Sequence, residues 1–382
     1  RKIMISYGGQ HIDKNDIKNV IRVLKSNFLT QGPATEKFEN KLKKKLNTKY
    51  VSCVSSGTAA LQIVAKSFGW KKGDKVISSP ITFVAGIAGA IHCGAYPEFV
   101  DIDKDTFNID PNKLEDKLKK QKKIKAAIIT DFAGQPSDWE DLYFLKKKYK
   151  IQLINDNCHS IGAKYKKNIG YATKFADVSC LSFHPVKHIT TGEGGAILTN
   201  NKSLYSQCNL SRSHGIIRPK KNSYKPWLYE IKELGYNYRL SDISASLGTS
   251  QLNKLDKFIK YRQEVAKKYN QLLPEINELK LPYLKPNRTH AYHLYVIRIN
   301  FIKLKKTKSN LFKLFMRNGI KLQVHYIPIF LQPYFKKNYR INYKDFPNSM
   351  KYYEEAFSVP VFYGLKNKTI SKVKRLLKEF IN

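Results

Sequence analysis

The chain has 382 residues, 42% of them hydrophobic, which is enough for a sizeable core in one large α/β domain with a smaller one appended, or in two domains. A formal charge of +39 would suit a nucleic acid or an anionic surface, but only 11 of the 69 basic residues are arginine, the residue expected to dominate base-edge and bidentate phosphate contacts. The lysines spread along the whole chain in helix-like runs such as KLKKKL (41–46) and LKKKYK (145–150), so they read as solvated helix faces, and no nucleic-acid partner is expected.

In chain order, the N-terminal segment runs straight into a charged, helix-like stretch, without the basic head and apolar run of a secretory leader. From there to about residue 250, short β-branched apolar runs alternate with amphipathic stretches, the pattern of βα units around a mostly parallel sheet. The predicted strands are KYVSCVS (49–55), KVISS (75–79), PEFVDI (97–102), AAIIT (126–130), IQLIND (151–156), DVSCLSF (177–183) and GAILTN (195–200). Together they form one seven-stranded sheet. The longest apolar stretch, 81–96, contains Thr82, three glycines and His92 and falls short of the roughly 20 apolar residues of a membrane span. No membrane association is expected, and the chain reads as cytoplasmic. After Asp242 a long helical stretch runs through Tyr261 to about Leu272, followed by a strand HLYVIRI (293–299), a helix at about 303–317, a short strand KLQVHY (321–326) and two further helices. We therefore expect a large domain at 1–250 and a small α/β domain at 251–382. The five cysteines, Cys53, Cys93, Cys158, Cys180 and Cys208, are odd in number and never spaced CxxC, which argues against a disulfide framework and a zinc site. No metal is expected.

In open parallel α/β sheets ligands sit at the carboxyl ends of the strands, so the residues just after each strand are the candidates. After the first comes SSGTAAL (55–61), a turn opening a helix whose N–H groups would suit a phosphate or be an ordinary cap. After the second, Thr82 and Phe83 place an aromatic ring on the same rim, a core residue by default. The fifth strand ends in Asp156, with His159 three residues on. That carboxylate is either a structural acid held by backbone donors or a charge aimed at a cationic ligand, and His159 either packs or acts. After the sixth strand SFHPVKHITTGEGG (182–195) carries Ser182 and Lys187, the lysine standing in a stretch, 179–192, that is otherwise uncharged. A partly desolvated lysine has the lowered pKa that Schiff-base chemistry requires. GEGG does not match GxGxxG, so no dinucleotide site is read there. A phosphate cradle, an aromatic plate, a carboxylate and a nucleophilic amine on one rim match the needs of pyridoxal 5'-phosphate.

SSGTAAL (55–61), ITFVA (81–85) with FVDID (99–103), SFHPVK (182–187) with TTGEGG (190–195), and GYNYRLSDISASLG (235–248) resemble the sugar aminotransferases of the DegT/DnrJ/StrS family, over nearly the whole chain. The resemblance implies the fold type I architecture of pyridoxal-phosphate-dependent transferases and a homodimer with shared active sites. It implies Lys187 as the Schiff-base lysine, Asp156 on the pyridine nitrogen, Phe83 stacked on the ring and His159 near the ring hydroxyl. Gly57, Thr58 and Ser182 would hold the phosphate, completed by Asn237 of the partner subunit on a loop that follows the lysine-rich stretch 219–232. Thr30, Gln31, Arg239, His325 and Tyr326 are the candidates for sugar-nucleotide contacts. FLTQGP (28–33), AGQP (133–136), QVHYIP (323–328) and QPYF (332–335) are most similar to the branch of the family that serves pseudaminic-acid synthesis. Those members aminate carbon 4 of a UDP-linked 4-keto-6-deoxy-N-acetylhexosamine with L-glutamate as donor. The alternatives are another nucleotide-linked 3- or 4-keto sugar and a non-catalytic pyridoxal-phosphate-binding regulator. Lys187 speaks against the related dehydratases, which have histidine in its place.

Overall fold

All seven predicted strands form, as Tyr50–Val54, Lys75–Ser78, Tyr96–Phe99, Ile124–Thr130, Gln152–Asp156, Val178–Ser182 and Gly195–Thr199. The computed structural model describes residues 4–121, 123–218, 225 and 227–382. The strands make one sheet, in the order first, seventh, sixth, fifth, fourth, second, third. Only the seventh runs against its neighbours; the other pairings are parallel. Successive residues explain why these runs are apolar throughout, since side chains alternate between faces. Val76, Ile128 and Ile154 meet Ile63 and Val64 of the helix Gly57–Ser67 and Ile87 of the helix Ala85–His92 on one face. Their neighbours Ile77, Ile129 and Leu153 meet Trp139, Leu142 and Leu145 of the helix Trp139–Tyr149 on the other.

The lysine runs decorate solvated helix faces: in KLKKKL, Leu42 and Leu46 are buried while Lys43 and Lys44 are exposed, and in LKKKYK, Leu145 is buried while Lys147 and Lys148 are exposed. Among the described residues no helix is long and apolar enough to cross a membrane.

Beyond residue 240 the long predicted helix is two, Asp242–Leu252 and Leu255–Leu272. The division expected at 250/251 falls inside the first of these. The second belongs to two cores: Leu255, Phe258 and Ile259 pack with Phe38 and Phe183, whereas Val265, Ala266 and Tyr269 pack with Tyr295 and Phe357. Ile329, Phe330 and Phe335 also return to the large-sheet core. A small antiparallel sheet has the order Leu279–Lys280, Tyr295–Ile299, Ala356–Val359. The strand expected at 321–326 does not form. That segment makes a single bridge, Gln323 to Ser358; beyond it His325 is held in place, with Nδ1 2.9 Å from Ser358 Oγ and its carbonyl accepting from Tyr352. The unpredicted run 356–359 takes its place in the ladder.

At the junction of the two cores sits Arg262, 2% exposed, with no carboxylate paired to it among the described residues. Its Nη1 donates to the carbonyls of Val361 (2.6 Å), Tyr292 (3.1 Å) and His293 (3.4 Å), and burial lowers its pKa to about 10. Three buried carbonyls depend on one cation. Arg262→Met, of similar length but without donors, should cost about 3 kcal/mol or more, read as a lower urea midpoint; a loss below about 1 kcal/mol would show that the carbonyls find other partners.

Candidate active site

Because only the seventh strand is reversed, its beginning lies at the same edge as the ends of the first, fifth and sixth. Gly195 pairs with both Val54 and Ser182, and this register brings the turn after the first strand against the end of the sixth. Two glycines permit the approach. A Cβ on Gly195 would stand 2.5 Å from the Ser56 carbonyl carbon and oxygen, and one on Gly57 2.8 Å from Ser182 Cβ. Ser56 caps the helix Gly57–Ser67, its hydroxyl accepting from Ala59 N at 3.0 Å. The N–H groups of Gly57 and Thr58 precede the first intrahelical bond, Ala60 N to Ser56 O, and carry the positive end of the helix dipole.

A cavity of 540 Å³ opens at this edge. Of the residues singled out from the sequence it brings together Gly57, Thr58, Phe83, Asp156, His159, Ser182, Lys187, His325 and Tyr326. Phe83 is 55% exposed, so it is not a core residue; its ring stands on the rim, 6.2 Å from that of Tyr326. Asp156 is buried at the end of its strand. One oxygen accepts from Cys158 N at 3.2 Å, the other from Thr130 Oγ1 at 3.4 Å, and no cation is paired with it among the described residues.

Lys187 lies on the loop from the sixth to the seventh strand. Phe183 anchors that loop: its N–H donates to Gly194 O (2.8 Å), and its carbonyl accepts from Thr191 N (3.0 Å) and Thr190 Oγ1 (2.9 Å). TTGEGG thus fixes where the lysine leaves the chain. Burial lowers the pKa of the Lys187 amine, against the opposite pull of Cys158 and Asp156. Its Nζ lies 3.4 Å from His293 Nε2. Next to it, His188 is packed with Nε2 2.9 Å from Ala291 O.

His159 Nε2 lies 3.1 Å from the Tyr326 hydroxyl, while its Nδ1 is buried without a partner. Burial, with help from Lys187, holds its imidazole well below its ordinary pKa and so uncharged at neutral pH. Sequence reasoning missed Tyr7, Cys158, Glu193 and His293 as site residues, all of which line the cavity. The signal for His293 was its place at the head of the predicted strand HLYVIRI; nothing local marks Tyr7, which arrives on a segment whose carbonyl accepts from Val361 N.

Thr30, Gln31, Asn237 and Arg239 do not line this cavity. Thr30 bridges Ser241, Asn237 bridges Ser213 and Arg239 bridges Val54, so they flank the turn after the first strand from outside, with Thr30, Gln31 and Asn237 exposed. Of the lysine-rich stretch preceding Asn237, residues 219–224 and 226 lie outside the described residues.

A model of the DegT/DnrJ/EryC1/StrS aminotransferase family matches residues 10–378. The chain is 36% identical over 376 residues to the UDP-4-amino-4,6-dideoxy-N-acetyl-beta-L-altrosamine transaminase of Campylobacter jejuni, covering 98% of this chain and 96% of that one. Among solved structures, Helicobacter pylori PseC, an aminotransferase involved in the biosynthesis of pseudoaminic acid, superposes with a TM-score of 0.91 at 30% identity over 99% of both chains. The putative sugar aminotransferase Spr1654 from Streptococcus pneumoniae, solved in a PMP form, does so with 0.90 at 25% identity over 98% of both; it is also solved in a PLP form.

The close approach at Gly195 carries a prediction. In Gly195→Ala the added methyl meets only backbone, Ser56 C and O and Gly57 N, which no rotamer change relieves. The variant should lose about 2 kcal/mol or more in chemical denaturation. An unchanged midpoint would show that the turn can shift.

Proposed function

The chain belongs to the DegT/DnrJ/EryC1/StrS aminotransferase family and is a sugar aminotransferase; from that premise we propose that it moves an amino group from L-glutamate to carbon 4 of a UDP-linked 4-keto-6-deoxy-N-acetylhexosamine, with pyridoxal 5'-phosphate held beside Lys187. The observation that carries this is the desolvated Lys187 amine in one cavity with the Asp156 carboxylate and a helix N-terminus. The residues fit the cofactor. Gly57 and Thr58 N–H groups with the Ser182 hydroxyl suit its phosphate, and the exposed Phe83 ring offers a face to stack on. His159 Nδ1, buried without a partner, suits a ring hydroxyl. Asp156 has acceptor capacity left for a pyridinium N–H.

When bound, the cofactor supplies an electrophilic carbon and a protonated ring able to take up an electron pair. Asp156 serves by holding the proton on the ring nitrogen, since a carboxylate beside a pyridinium favours its charged form. Lys187 serves twice. Its amine, with the pKa lowered by burial, would be the group that holds the cofactor, and when free it would be the base that takes up and returns a proton. His325 and Tyr326 line the same cavity, which supports a contact with the sugar; burial holds the Tyr326 phenol protonated, so it can donate.

We place Thr30, Gln31, Asn237 and Arg239, which lie outside the cavity of their own chain, at the site of the neighbouring subunit of a homodimer. Asn237 of the partner subunit would complete the phosphate cradle, and the other three would hold the nucleotide. In a twofold dimer both sites would form or neither would.

Purified protein given L-glutamate and a panel of UDP- and dTDP-linked 3- and 4-keto sugars should aminate the UDP-linked 4-keto-6-deoxy-N-acetylhexosamine, and Lys187→Ala should not. Preference for a dTDP-linked or 3-keto sugar would overturn the substrate assignment. Asp156→Asn should lower turnover by several orders of magnitude, about 4 kcal/mol or more; a loss within about tenfold, or roughly 1.4 kcal/mol, would make Asp156 a structural acid. For the shared site, mixing Lys187→Ala with an Asn237→Ala chain that is impaired alone should recover activity as subunits exchange. Mixed dimers no more active than the sum of the parents would place Asn237 at its own chain's site.

A further inference from the structure

The Lys187 amine has one hydrogen-bond partner among the described residues, and it comes from outside the large sheet. His293, 2% exposed, sits in the segment 290–294 that leads into the strand Tyr295–Ile299 of the small sheet. That segment is pinned along its length. Ala291 N donates to Gly134 O (2.8 Å) and Leu294 N to Ala133 O (3.1 Å); the carbonyls of Tyr292 and His293 accept from Arg262, and that of Ala291 faces His188 Nε2. The His293 ring lies with its centroid 4.4 Å from that of His159 and 5.8 Å from that of His188. A ring held in this way cannot swing off the lysine without moving the backbone.

Its tautomer follows from its surroundings. Nδ1 of His293 is buried with no partner, and a buried N–H lacking an acceptor costs more than a bare lone pair. The favoured tautomer therefore carries its proton on Nε2, the nitrogen 3.4 Å from Lys187 Nζ. A donor aimed at an amine needs the lone pair of that amine, which only the uncharged form has. We propose that His293 is a positioning residue that donates from Nε2 to the Lys187 amine and so holds it uncharged and aimed whenever that amine is free. The proposal rests on the reading of Lys187 as the reactive amine.

The groups that face Lys187 show why a donor matters. Asp156 and Cys158 pull it toward the ammonium form, and Arg262 pushes it the other way. His159, His188 and His325 surround it, and burial is the main reason each lies below its ordinary pKa, so at neutral pH none adds a positive charge. Of the neighbours that favour the uncharged amine, His293 is the one whose proton points at it. Because a hydrogen bond to the neutral form lowers an amine's pKa, losing the donor raises it.

The test reads the amine itself. In the full chain freed of cofactor, the rate of Lys187 carbamylation by cyanate, followed by peptide mass spectrometry and divided by the isocyanic acid present at each pH, reports the uncharged fraction. His293→Phe keeps the ring and its packing on His159 but has no donor, and His293→Leu is a second variant without one. Both should move the midpoint up by about one pH unit, whereas His293→Gln, which keeps an N–H, should return it to within about 0.3 unit of wild type. Coincident midpoints in wild type and the donorless variants, or a glutamine variant shifted as far as they are, would overturn the proposal. Borohydride trapping of added pyridoxal 5'-phosphate separates the two levels. Attachment at Lys187 in every variant with unmoved midpoints sinks only the role of His293; no attachment at Lys187 in wild type sinks the reading of the site and this proposal with it.

Discussion

Desolvation of the Lys187 amine is the constraint on which the rest of the site depends. A lysine in water is an ammonium ion and neither a nucleophile nor a base; taken out of water it becomes both, provided nothing nearby restores the charge. The cavity at the sheet edge meets that condition in a specific way. His159, His293 and His325 are kept uncharged by the same burial that acts on the lysine, so these neighbours of the amine can hydrogen-bond without adding charge. The one carboxylate within electrostatic reach, Asp156, belongs to the cofactor's far end in the proposed arrangement, where its partner would be a pyridinium and not the lysine.

The fold supplies this environment through two close approaches. The first is at the large sheet, where the reversed seventh strand and Gly195 allow the turn 55–57 to lie against Ser182, placing a helix N-terminus on the rim that holds the lysine. The second is at the junction of the cores, where Gly134, with φ of 107°, lets the segment 290–294 pack on the carboxyl edge of the sheet. A Cβ there would stand 2.9 Å from Tyr292 N and from His159 O. Arg262 then fixes that segment from the other side. His293 thus reaches Lys187 because the segment that leads into a small-sheet strand is packed on the edge of the large sheet, and the position of the small sheet and the state of the lysine become parts of one arrangement.

Much of this was legible in the sequence, and the reason is geometric. A strand buried on both faces is apolar at every position, so the seven runs stood out, and the ends of those runs named Gly57, Phe83, Asp156, Ser182 and Lys187 as neighbours. The family resemblance carried by SFHPVK and TTGEGG is borne out over residues 10–378. The failures lie where contact depends on distant segments. Tyr7 carries no local signature and His293 only its place at the head of HLYVIRI, because what brings each to the cavity is the segment it is folded against. KLQVHY has the alternation of a strand yet meets the ladder at a single bridge, Gln323 to Ser358, and the run 356–359 takes its place. Thr30, Gln31, Asn237 and Arg239 lie outside the cavity lining of one chain; for Asn237 that agrees with the partner-subunit role the resemblance implies, and for the other three it is the ground of the proposal.

The central claim is that Lys187 holds pyridoxal 5'-phosphate and gives it up to an amino-group donor. An absorbance titration of the purified protein, loaded with one equivalent of the cofactor, addresses it directly. The account predicts a yellow band that L-glutamate bleaches in a saturable manner and that a keto-acid acceptor restores, with Lys187→Ala showing neither change. A wild-type protein that takes up no cofactor, or whose colour is indifferent to glutamate while Lys187→Ala behaves identically, would contradict it.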